Sequence, residues 1–226
     1  MPDASMCAYC QEESRLCESD TGTAPPFCPM LRFGDSLQES ATEYDREDVL
    51  RISRMASIQE GEGYGEPAKV GRRPRPVKTR VEEIRELALK LECGRVGVAF
   101  CTGLRREAAL CCRALEAVSL EVVSVSCKVG RRPKEVLGLQ DDQKIRPGRF
   151  EAMCNPIGQA EVLNAENSEL NVVVGLCVGH DSLFFRYSRA PVTVLVAKDR
   201  VTGHNPAAAL YNLPGYYSSL LDVGGD

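Results

Sequence analysis

The stretch Asn171-Val-Val-Val-Gly-Leu-Cys-Val-Gly-His-Asp181 restricts the fold more than any other. Three consecutive valines are stiff at χ1, favour extended backbone and leave no polar face to turn toward water. Such a run predicts a strand buried on both sides, as in parallel sheets, where crossover helices cover both faces. Runs at 96–100, 121–126 and 191–197 share the pattern. Between them lie apolar stripes at helical spacing, Val81, Ile84, Leu87, Ala88 and Leu91, then Leu104, Ala108, Cys111, Leu115 and Val118, and a further helical stretch at 157–167. Strand and helix in alternation predict an α/β fold, a three-layer Rossmann-like domain with about four or five mainly parallel strands over residues 81–226. Only Thr102-Gly103 follows the first strand, not Gly-x-Gly-x-x-Gly, which argues against a dinucleotide site.

In open α/β sheets ligands bind outside the carboxyl ends of the strands. Here those ends carry Cys101, Cys127 and Cys177, while the fourth run ends at Lys198-Asp199 with His204 five residues on. Cys154 precedes a helix that Asn155 is suited to cap and Pro156 to open, a position that favours a thiolate. His204-Asn205-Pro206 repeats the same device. Four thiols on one rim, Cys101, Cys127, Cys154 and Cys177, form the donor set of an iron–sulfur cluster, with zinc as the alternative. His180 and His204, the two histidines of the chain, are expected beside it as ligands or proton donors. Lys198 and Asp199 would orient a histidine or handle protons. Lys128, Arg131 and Arg132 would line the mouth of the crevice and favour a small anionic ligand or a negatively charged cluster. Cys93, Cys111 and Cys112 fall on an apolar stripe or at a helix end and read as core thiols.

Eleven cysteines in 226 residues, with no export signal, point away from disulfides and toward metal or redox chemistry in the cytosol. No run approaches the roughly 18 apolar residues of a membrane span. A net charge of −4 with mixed signs offers no basic face for nucleic acid. Cys7-x2-Cys10-x6-Cys17-x10-Cys28 predicts a small four-cysteine metal-binding segment at 1–35, since four thiolates satisfy a tetrahedral ion or a cluster. A helix from 36 to about 59 and a basic, proline-broken linker fill 36–80. The hexapeptide Lys-Val-Gly-Arg-Arg-Pro occurs at 69–74 and again at 128–133. Residues 129–153, polar and weakly patterned, read as a lid over the cysteine rim.

The motifs C-N-P-I at 154–157, G-L-C-V-G-H-D at 175–181, K-D-R at 198–200 and H-N-P at 204–206, together with the amino-terminal cysteines, resemble an uncharacterised prokaryotic cysteine-rich family, domain of unknown function 1847. The resemblance extends over about residues 7–211. It implies a metal-binding or iron–sulfur protein, found mostly in anaerobic bacteria and archaea, and implies no reaction. The residues themselves leave two other functions open. One is a thiol-nucleophile enzyme with Cys177 or Cys154 attacking and His180 or His204 as base. The other is a non-enzymatic carrier or sensor that meets a redox partner protein.

Overall fold

The computed structural model describes residues 4–65 and 74–222. Its elements are α1 (Pro29–Arg32), α2 (Gly34–Ala41), α3 (Glu47–Gly63), α4 (Arg80–Lys90), β1 (Arg95–Phe100), α5 (Arg105–Glu116), β2 (Glu121–Ser126), α6 (Pro156–Ala165), β3 (Leu170–Val174), α7 (His180–Tyr187), β4 (Val192–Val196) and α8 (Ala207–Tyr211). The four strands form one sheet in the order β2-β1-β3-β4, with every neighbouring pair parallel. The fold is therefore α/β, as the alternating pattern predicts. From β1 the chain runs outward to β2, then returns past β1 to β3 and on to β4. The direction reverses between β1 and β3, and a crevice opens at their carboxyl ends.

Period-2 alternation within the strands sorts side chains into two cores. Val96, Val98, Val172 and Val174 meet Ile84 and Ala88 of α4 and Ala108, Cys111 and Leu115 of α5. Ala99, Val125 and Val173 meet Ala160 and Leu163 of α6 and Phe184 of α7. Each fully buried valine, leucine or phenylalanine among them contributes about 1.5–3 kcal/mol, and each alanine about 0.8 kcal/mol. Cys93 and Cys111 lie in the first core and Cys112 packs against it, which makes them filling rather than chemistry.

The open edge of β4 is closed by Arg80 in the first turn of α4, whose Nε donates to the Val194 carbonyl at 2.6 Å and whose guanidinium donates to Thr193 Oγ1 at 3.0 Å. Thr79 and Glu82 build a capping box that starts this helix. Among the described residues no helix is long and apolar enough to cross a membrane.

The chain divides into compact units at 1–58 and 59–226. The division falls inside α3 because its last turn is tied to α4. Gln59 is buried and donates to Glu86 at 2.9 Å, and Glu62 accepts from Lys90 at 2.9 Å and from Lys78 at 3.3 Å. Residues 69–73 of the basic linker, and with them most of the first hexapeptide, lie outside the described residues.

Residues 129–153 are better ordered than their sequence suggests. Pro133 bridges Ala152, Lys134 pairs with Glu151, and the chain between forms short 3-10 turns at Lys134–Leu137 and Asp141–Gln143. Lys144 turns inward, with Nζ 2.5 Å from Asp141, 2.9 Å from Glu135 and 2.8 Å from the Arg149 carbonyl. These local ties replace the apolar periodicity that sequence reading depends on.

Candidate functional site

Phe100 is level with Ser126 on one side and Val174 on the other, so β1 and β2 deliver Cys101 and Cys127 to the rim side by side. β3 reaches it through Gly175-Leu176-Cys177. Gly175 has φ +66°, and a Cβ there would lie 2.8 Å from a Leu104 methyl, so only glycine makes this turn. The Cys101 N–H donates to the Val174 carbonyl at 3.1 Å and the Cys127 N–H to the Phe100 carbonyl at 2.8 Å. The Asn155 N–H donates to the Cys127 carbonyl at 2.8 Å, which brings Cys154 in from the loop. As predicted, Asn155 caps α6, its Oδ1 accepting from the Gly158 N–H at 2.9 Å, with Pro156 next in the chain.

Every one of the four rim sulfurs receives a donor. Lys198 Nζ lies 3.1 Å from Cys101 Sγ, Lys128 Nζ 3.5 Å from Cys154 Sγ, and the Arg200 guanidinium 3.2 Å from Cys177 Sγ. Cys127, the most buried, takes the Thr102 N–H at 3.4 Å and faces the Thr102 hydroxyl at 3.5 Å. The thiols also act on one another. Hydrogen bonding to Cys127, then burial, pushes the Cys101 thiol up to about 12, against the pull of Lys198. Hydrogen bonding to Cys127 brings Cys154 down to about 6, with Lys128 assisting and burial opposing. The rim thus keeps a proton on Cys101 and a thiolate at Cys154, with Cys127 between them. Cys177 acts on Cys154 through its charge. Among the described residues no three His, Cys, Asp or Glu side chains gather closely enough to hold a single metal ion.

His180 opens α7 after Gly179, whose φ is +82°. Burial, then the charge of Lys128, holds its imidazole below the ordinary value, so the ring is neutral at pH 7. His204 adopts φ +69°, and its Nδ1 accepts the Asp199 N–H at 3.1 Å. A neutral ring that accepts at Nδ1 carries its proton on Nε2. The Asp199 carboxylate accepts from Val201 N–H at 2.9 Å and Thr202 N–H at 3.0 Å. The Thr202 side chain, then these backbone N–H groups, hold it below the usual carboxylate range. Asp199 thus positions His204 through its backbone, while its side chain closes its own turn. Of the basic turn, Lys128 reaches a rim sulfur and Arg131 stacks over the Phe150 ring at 5.2 Å.

Arg200, Thr102 and Gln159 do not stand out in the sequence as site residues. Gln159 is fully buried in α6, where its Nε2 donates to the Val125 carbonyl at 2.7 Å and the Phe100 carbonyl at 3.2 Å, clamping the strand ends that carry Cys127 and Cys101. Its Oε1 is buried with no partner among the described residues. A glutamine on the stripe of Pro156, Ala160 and Leu163 is the signal that could have found it. Arg200 falls within the K-D-R motif at 198–200, but nothing in the sequence shows that it reaches the Cys177 sulfur.

In the amino-terminal unit Cys7, Cys10, Cys17 and Cys28 all line one cavity of about 400 Å³, together with Arg15 and Glu18. The Cys10 N–H donates to the Cys7 carbonyl at 3.1 Å, and Thr23 pairs with both Ser14 and Leu16 to fold the intervening chain back.

Fold and rim define a parallel α/β protein with cysteines at its strand ends. A family model described as "Protein of unknown function (DUF1847)" matches residues 28–195, and the chain belongs to that family. It is 43% identical over 188 residues to the uncharacterised protein MJ0455 of Methanocaldococcus jannaschii, covering 83% of this chain and 89% of that one. Among solved structures it is similar to Dph2 from Pyrococcus horikoshii, crystallised with a 4Fe-4S cluster, at 17% identity and a TM-score of 0.33. That likeness spans 63% of this chain and 33% of the Dph2 chain.

Proposed function

We propose that this protein binds an iron–sulfur cluster at the carboxyl rim of its sheet through Cys101, Cys127, Cys154 and Cys177, and that its function is redox-related. The observation that carries the reading is the pairing of each rim sulfur with its own N–H or cationic donor. A thiol that only fills a core needs no such partner. The donor set fits the group by its chemistry, since four thiolates are the usual ligands of a cluster and Cys101, Cys127, Cys154 and Cys177 would hold it. A cluster held there supplies one-electron transfer. Lys198, Lys128 and Arg200 offset its negative charge, and hydrogen bonds to the sulfurs tune its potential. His180 and His204 would serve as imidazoles that accept or donate a proton. Cys7, Cys10, Cys17 and Cys28, which line one cavity but do not gather around a single point, would close on a second centre of iron–sulfur or zinc type as it binds.

The test is an absorption spectrum with iron, sulfide and zinc analysis on protein purified without oxygen or chelator. A brown protein containing iron and acid-labile sulfide supports the reading when Cys101→Ala, Cys127→Ala, Cys154→Ala and Cys177→Ala each remove the same chromophore and Cys111→Ala does not. A colourless protein, or rim variants that keep the chromophore, overturns it. Cys10→Ala should lower metal content while leaving the rim chromophore in place.

A second reading has one observation in its favour: Cys154, with its pKa about 6 beside Lys128, is poised as a nucleophile without any metal. In metal-free protein it would then be the first thiol alkylated at neutral pH.

A further inference from the structure

A separate cavity of about 430 Å³ lies between α5 and the edge strand β2, within the size range of small-molecule sites. Phe100, Ala108 and Ala109 give it an apolar wall, Thr102, Ser124, Ser126 and Arg105 supply hydroxyls and a guanidinium, and Cys112 adds a thiol. The Thr102 and Ser126 hydroxyls are 2.8 Å apart. When Thr102 donates to Ser126, the Ser126 hydroxyl keeps its own hydrogen to give away; in the reverse case the Thr102 hydrogen is shared with Cys127 Sγ at 3.5 Å. Arg105 stands exposed in the first turn of α5 and forms no ion pair with another described residue. A guanidinium is a planar fork of donors matched to a carboxylate or phosphate. The net charge of −4 gives the protein no general attraction for anions, so any anion recognition here is local to this arginine and these hydroxyls.

We propose that this cavity binds a small organic carboxylate, its anionic head on Arg105 and the Thr102–Ser126 pair and its short hydrocarbon body against Phe100, Ala108 and Ala109. The apolar wall selects an organic acid over a bare inorganic anion, which would gain nothing from it. The site stands whether or not the rim carries a cluster, although the two share Thr102, whose N–H donates to Cys127 Sγ. An occupant would therefore sit one residue from the rim.

The test is titration of the full-length protein with butyrate and, separately, with inorganic phosphate, read by calorimetry and by the shift in melting temperature. Butyrate should bind saturably, and phosphate at least tenfold more weakly. Arg105→Gln, which removes the charge, and Ala109→Phe, which fills the cavity and leaves the charge, should each weaken butyrate at least tenfold. Both positions are exposed, and an unchanged melting temperature without ligand verifies the fold of each variant. No butyrate binding, binding that survives both substitutions, or phosphate binding as tight as butyrate would each overturn the proposal.

Discussion

Gly97→Ala should destabilise the protein more than its one added methyl suggests. Gly97 sits mid-strand in β1, level with Asn171 of β3. A Cβ there would lie 2.9 Å from Leu163 Cδ1 and 3.1 Å from Asn171 Cγ, with Asn171 Oδ1 closer still. None of these neighbours can retreat. β1 is paired on both sides, Leu163 is fully buried, and the Asn171 amide is held by the Ser168 hydroxyl at 2.8 Å and the Ser188 hydroxyl at 2.8 Å. Overpacking a closed core costs about 1–3 kcal/mol, and pulling a buried amide from a partner adds about 1–3 kcal/mol. Reduced freedom of the unfolded chain returns about 0.4–1 kcal/mol. A central value is a loss of about 3 kcal/mol, which at roughly 2–4 °C per kcal/mol for a chain of this size is a fall of about 6–12 °C in Tm. Thermal unfolding followed by far-UV circular dichroism measures it. A Tm equal to or above the wild type refutes the reasoning. A double-mutant cycle sharpens the test, because Gly97→Ala should cost at least about 1 kcal/mol less in an Asn171→Ala background if the amide is the obstacle. Strict additivity would mean that it is not.

Gly61→Ala, in α3 with nothing within 4 Å of the new methyl, should act in the opposite sense and raise stability by about 1 kcal/mol, read from the same melts. In metal-free protein, stability to urea should rise with pH between about 6 and 9, because the folded state gives up the Cys154 proton near 6 and the unfolded chain only near the ordinary 9.0. Cys154→Ala should flatten that rise. Above pH 9 the trend should reverse toward about 12, since folded Cys101 holds a proton that the unfolded chain releases. Lys128→Met should slow alkylation of Cys154 at pH 7, because the charge that helps hold the thiolate is gone. Lys144→Met should loosen the loop at 134–151, seen as faster amide exchange. Strong acid, below the ordinary values of 3.8 and 4.5, should do the same in the wild type, because Lys144 holds Asp141 and Glu135 below those values and only there does protonation remove its partners.

The sheet was legible because it is built from what periodicity reports. The buried valines of β1 and β3 admit no amphipathic alternative, and the stripe at Ala108, Cys111 and Leu115 faces the sheet as the helical period requires. The capping of α6 by Asn155 was legible for a local reason, since donor and acceptor lie three residues apart. What could not be read depends on distance across the fold. Arg200 meets Cys177 from 23 positions away and Lys198 meets Cys101 from 97. Gln159 looks like a misplaced surface residue until the carbonyls of Phe100 and Val125 are seen above it. The boundary inside α3 was hidden for the same reason, because Gln59 and Glu62 look solvent-exposed by composition and are claimed by Lys90 of the next helix.

Two cysteines in this chain show why residue type alone does not assign a role. Cys111 lies in the core against α4, and burial with no donor pushes its thiol up to about 12. Cys154 also sits largely out of solvent, yet its neighbours bring it down to about 6. Burial alone disfavours a thiolate, so the difference has to come from Cys127 and Lys128. The donors at the rim come from separate loops: Lys128 follows β2, while Lys198 and Arg200 follow β4 and reach back to thiols at the ends of β1 and β3. A fold that only stored cysteine as a small hydrophobe would have no reason to aim three cations at three sulfurs. At Cys154 the result is negative charge on sulfur near the point where the sheet changes direction, which is the condition that metal ligation and nucleophilic attack share.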